Sequence, residues 1–118
     1  YKTVTKSVED NVKILSSDFG RSVDVFESLC AIGSTRMTFK FKDDYSIYSN
    51  SGSVELHDLS KDESLIQIIT PSTITIDTGS NSFGWAVSIN SDFMAISSPF
   101  TSDRGAVFLF KSGSNGYE

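Results

Sequence analysis

Apolar residues in this chain recur at every second position in short runs, and Gly, Ser and Asp interrupt the runs. That period of two predicts half-buried β-strands, and no stretch holds the 3.6-residue spacing of an amphipathic helix. Val23 and Val25, the break Glu27-Ser28, then Leu29 to Ile32 read as one hairpin. Val87 and Ile89, the break Asn90-Ser91-Asp92, then Phe93 to Ile96 read as another. A third strand follows each hairpin, Gly52–His57 in one case and Gly105–Phe110 in the other. Leu65–Ile69 reads as a fourth strand, ended by Pro71.

The two hairpins belong to a repeat. Residues 19–34 lie over residues 83–98 without a gap, with Phe19/Phe83, Gly20/Gly84, Val23/Val87, Ala31/Ala95, Ile32/Ile96 and Ser34/Ser98 identical. The offset is therefore 83 − 19 = 64 residues. Between the third strands it is 105 − 52 = 53, so the first copy carries eleven extra residues within 35–51, where Phe39–Tyr48 alternates well enough to form an extra ribbon. A period of this length marks an array of one supersecondary unit that needs neighbours on both sides. Carried backwards, the offset puts Tyr1–Thr5 on the fourth strand of a preceding unit. The expected division is 1–18 as outer strand of that unit plus connection, 19–82 as a first complete unit with its inserted loop, and 83–118 as a second unit lacking its fourth strand.

Phe19-Gly20, Leu29–Gly33 and Gly52-Ser53-Val54, then Phe83-Gly84, Phe93–Pro99 and Gly105-Ala106-Val107, resemble the FG-GAP repeat of integrin-α-like β-propellers. The resemblance implies an all-β fold of two four-stranded antiparallel propeller blades, a partial propeller completed by further sequence or other subunits. It also implies that Phe19, Gly20, Gly33, Gly52, Phe83, Gly84, Pro99 and Gly105 are structural signature residues. Many members of that family hold calcium in an Asp-rich loop between the first two strands. Phe26-Glu27-Ser28 and Asn90-Ser91-Asp92 are too short and too poor in carboxylates to surround Ca²⁺ with about six to eight oxygens, so no metal or other cofactor is expected there.

Two blades cannot close a ring. The expected partners are therefore a protein, further blades or further copies of the chain, joined through Tyr1–Thr5 and Gly105–Phe110 as edge strands. Head-to-tail contact of copies gives a ring or a fibre according to whether the rotation closes. The resemblance implies a place at a cell or particle surface.

Composition narrows the partners further. A net charge of −5 with scattered Lys and Arg argues against nucleic acid. No apolar run is long enough for a membrane-spanning helix, so no membrane insertion is expected. Cys30, the lone cysteine, sits where Met94 sits in the other copy and reads as a buried apolar filler.

Candidate chemistry is sparse. Asp77-Thr78-Gly79-Ser80 after an alternating run resembles the loop of aspartic proteases, but only 41 residues follow Asp77 and a turn accounts for it. His57, the single histidine, stands at the position of Phe110 and reads as a hydrogen-bonded strand residue rather than a metal ligand. Asp43, Asp44, Asp62 and Glu63 read as solvated carboxylates. Trp85, Tyr45 and Tyr48 are the candidate recognition residues, suited to stacking on a glycan or anchoring a protein. The expected function is a non-enzymatic structural, assembly or protein-binding module, with an oligomeric lectin-like propeller as the alternative and a protease dimer as a remote one.

Overall fold

The computed structural model describes residues 2–7, 11–43, 48–50, 52–70, 82–101, 104–114 and 116–118. Their regular structure is entirely β, in eleven strands. These are β1 (Val12–Ser17), β2 (Ser22–Phe26), β3 (Leu29–Ser34), β4 (Met37–Phe41), β5 (Tyr48–Asn50), β6 (Ser53–Asp58), β7 (Leu65–Ile69), β8 (Val87–Ile89), β9 (Phe93–Ser98), β10 (Ala106–Gly113) and β11 (Gly116–Tyr117). Two four-stranded sheets run β2-β3-β6-β7 and β8-β9-β10-β11, each antiparallel and in sequence order. They are the two blades.

The period of two sets which residues look where. In the first blade Ala31 pairs with Leu56 and Gly33 with Val54, which puts all four on one face. In the second, Met94 pairs with Phe110 and Ile96 with Phe108 on the opposite face. These two faces meet. The core is the layer between them: Ala31, Val54, Leu56, Ile69, Phe83, Ile89, Met94, Ile96 and Tyr117 are buried, with Phe108 and Phe110 packed against them. Neither sheet has a core of its own, which is why an isolated unit of this kind has no stable form.

The inserted segment forms β4 and β5, an antiparallel pair to which β1 adds as a third strand. Residues 12–17, read from the sequence as connection, are therefore a strand of this small sheet. Their match was hidden because pairing with an insertion leaves no trace in the repeat.

Two further expectations are corrected. The second blade does begin a fourth strand: Tyr117 pairs with Ser112 and Gly116 with Gly113, and Lys111 and Glu118 exchange backbone hydrogen bonds. Ala106–Phe110 nevertheless pairs with β9 alone, whereas the matching Val54–His57 has β7 beside it. At the other end, residues 2–5 join no strand. They lie where the 64-residue offset places an outer strand, against the first blade: Lys2 Nζ donates to the Lys61 carbonyl at 2.9 Å, and Lys6 reaches Glu55.

Candidate functional site: the blade faces

The one complete junction shows what a blade face receives. Phe83 enters the core fully buried and stacks obliquely on Phe108, with ring centroids 5.6 Å apart. Its backbone forms a parallel bridge to Gly52, where a Cβ would collide with the Phe83 carbonyl oxygen. Gly84 follows with φ +90°, and its carbonyl accepts Ser22 Oγ at 2.7 Å. Gly33 has room for that carbonyl only because it lacks a side chain. Deeper in, the Asp24 carboxylate accepts the Ile89 N–H at 2.8 Å. Glycines, a short hydroxyl and one carboxylate thus clasp the Phe-Gly segment of one blade onto the next.

On the outward sides, several residues that correspond to buried ones are exposed. Val54 and Leu56 are 0% exposed in the first blade, while their counterparts Val107 and Leu109 are 64% and 71% exposed. Ile89 is buried, while its counterpart Val25 is 54% exposed and the neighbouring Val23 is 60% exposed. Phe93 adds to the open side of the second blade. Gly20 has a φ of +95°, close to the +90° of Gly84, yet a Cβ there would meet nothing within 4 Å.

Comparison with known families agrees with this geometry. Residues 77–110 match the FG-GAP repeat. No curated protein and no solved structure matches the chain. The matched segment is the second Phe-Gly unit, and the first is tied to it by the strand-for-strand equivalence of the two sheets. Around the FG-GAP signature, Phe83, Gly84, Gly33 and Gly52 come together at the junction, Gly105 packs against the Pro99 carbonyl, Phe19 is half-buried and Gly20 is exposed.

The candidate recognition aromatics are not seen as one group. Trp85 is 42% exposed; the Arg21 guanidinium lies 4.2 Å from its ring centroid and Phe100 meets it edge-on at 6.2 Å. Arg21 and Trp85 each follow a Phe-Gly pair, so this stack bridges the two blades. Tyr48 lies in β5, but its side chain falls outside what the structure describes, as do Tyr45, Asp44 and the Asp77 loop. Among the described residues no three His, Cys, Asp or Glu side chains gather as metal ligands. The β2–β3 turn has two residues, with Glu27 at φ +53°. In the β8–β9 turn the Asn90 Oδ1 accepts the Asp92 and Phe93 N–H groups, so this carbonyl oxygen is spent on the turn itself.

His57 is a satisfied strand residue, Nδ1 facing Ser64 Oγ at 2.9 Å and Nε2 facing Glu55 Oε1 at 3.2 Å. Cys30 is buried, and burial first, then the Asp24 charge, push its thiol pKa up, away from reactivity. Sequence reasoning missed Ser22, Asp24, Glu55 and Asp18. Asp18 braces the point where the insertion departs, accepting Ser34 Oγ at 3.0 Å, the Arg36 N–H at 3.2 Å and the Thr35 hydroxyl. Burial raises its pKa, but these hydrogen bonds outweigh it and the net shift is downward.

Proposed function

We propose that this chain is a non-enzymatic β-propeller module with an assembly or protein-binding role, carried by a larger surface or particle structure. The observation that supports it is the register match between buried Val54 and Leu56 and exposed Val107 and Leu109. A blade face of this composition is buried wherever it has a neighbour, so the open faces are seats for further FG-GAP-like blades, from copies of this chain or from additional sequence. The β10 edge over Ala106–Phe110 adds a backbone contribution, because it has one ladder partner where the first blade has two. The family resemblance supports the surface or particle setting.

Light scattering or mass photometry across a concentration series tests the copy-to-copy form of this reading. The expected result is a particle larger than the 12.9 kDa chain, reduced to monomer by Leu109→Lys with an unchanged circular dichroism spectrum. A well-folded wild-type monomer at every concentration overturns self-assembly. Chemical-shift mapping with an added Phe-Gly-bearing blade that leaves β10 and Phe93 unmoved overturns the seat itself.

A further inference from the structure

Glu55 and His57 stand in the first blade where Phe108 and Phe110 stand in the second. Phe108 and Phe110 pack into the inter-blade core, yet Glu55 is 0% exposed and His57 3%. A buried carboxylate at an apolar register position costs several kcal/mol in general unless it is fully partnered. Here it is. Glu55 Oε2 accepts Lys6 Nζ at 2.6 Å and the Ser7 N–H at 3.2 Å, while Oε1 accepts Ser7 Oγ at 2.8 Å and faces His57 Nε2 at 3.2 Å. The segment supplying those partners lies against the first blade, and Gln67 lies against the second. Lys2 bonds the Lys61 carbonyl, and Gln67 brackets Tyr117 with bonds to its carbonyl and N–H. By the 64-residue offset, the counterpart of Lys6 is Thr70.

Lys6 thus meets Glu55 in space, and by the offsets of 64 and 53 residues the corresponding positions are Thr70 and Phe108. Exchanging them creates two faults. Threonine over Glu55 leaves the carboxylate buried without a cation, and lysine over Phe108 buries an ammonium against an aromatic core. We propose that the Glu55–Lys6 pair is a specificity determinant: the outer face of the first blade is a seat for an extended strand bearing lysine and a following hydroxyl, and it refuses the apolar outer strands that the other blade accepts. Such a pair fixes which strand lies on which blade, the use for which buried polar groups are best attested. The inference concerns contacts within one chain and stands whether or not copies associate.

Amide exchange of the full-length protein reads it directly at the Ser7 N–H, with the Val54 and Leu56 amides as internal controls. Lys6→Thr, which installs the counterpart residue, is expected to speed Ser7 exchange by about ten-fold or more while the controls hold, since it removes a charged hydrogen bond. Lys6→Arg keeps the cation and is expected to keep protection. Glu55→Gln keeps an acceptor for the Ser7 N–H but removes the charge that needs a cation, so in that background Lys6→Thr is expected to change Ser7 exchange far less. Ser7 exchange in Lys6→Thr equal to wild type, or the same acceleration by Lys6→Thr in the Glu55→Gln background, overturns the proposal. The Lys6 substitutions decide the matter alone if Glu55→Gln fails to fold.

Discussion

Phe83-Gly84 and Phe19-Gly20 are the same dipeptide at the same place in two equivalent sheets, and they live in different surroundings. Phe83 is 0% exposed, bridged to Gly52 and stacked on Phe108. Phe19 is half-buried, with its N–H held by Ser17 Oγ at 3.1 Å and Lys6 Nζ 5.9 Å from its ring centroid. The difference lies in what sits opposite: the first motif has no blade before it among the described residues. A repeat motif therefore states what a residue is for, and the neighbour decides whether that role is filled.

The contrast breaks most visibly at the buried phenylalanine. Phe83→Ala should cost about 3–5 kcal/mol in urea unfolding, and Phe19→Ala clearly less, because only the former empties a packed site. Equal losses would mean that both motifs are buried in solution. Leu56→Ala against Leu109→Ala sharpens the same point on the receiving faces. The expected costs are about 2–5 kcal/mol for the first and within about 0.5 kcal/mol for the second in a monomer. Asp24→Ala removes a charged acceptor from the Ile89 N–H, worth about 1.5–3 kcal/mol, whereas Ser88→Ala at its counterpart should be near neutral.

Acid treats the two blades differently as well. Burial raises the Glu55 pKa, but the Lys6 and Ser7 hydrogen bonds and the Lys6 charge more than offset it, leaving it below its usual 4.5. A depressed folded-state value means that Glu55 stabilises the fold above that usual value and loses this contribution as pH falls through the folded one. Ser7 amide protection should therefore fall on acidification below 4.5 while the Leu56 amide holds, and Glu55→Gln should flatten that response. The smallest effect is expected at the stack. Arg21→Ala should cost only about 0.5–1 kcal/mol, the range for exposed cation–π pairs.

Much of this fold is legible from period-two alternation and the repeat offset, because both are local and both survive duplication. β2, β3, β6 and β7, and β8 to β10, fall where the pattern puts them. What escaped was non-repeating. β1 pairs with an insertion that has no counterpart, and β11 is two residues long with a single apolar side chain. The junction was readable in part, since Gly33 and Gly52 are signature positions, but Ser22 and Asp24 act through backbone groups of the other blade and nothing in their own neighbourhood shows it. Glu55 was the clearest missed cue. A glutamate between Val54 and Leu56, at a phenylalanine's place, looks like the solvated side of a strand until the crossing of residues 2–7 is known.

The Arg21–Trp85 stack has a practical consequence. Trp85 is the sole indole of the chain, and its ring spans the boundary between the two wedges. Its emission is therefore a label-free gauge of the contact between them, because loss of the guanidinium from the ring changes its quantum yield. Fluorescence and far-ultraviolet dichroism recorded on one sample would time the parting of the wedges against the loss of their ladders.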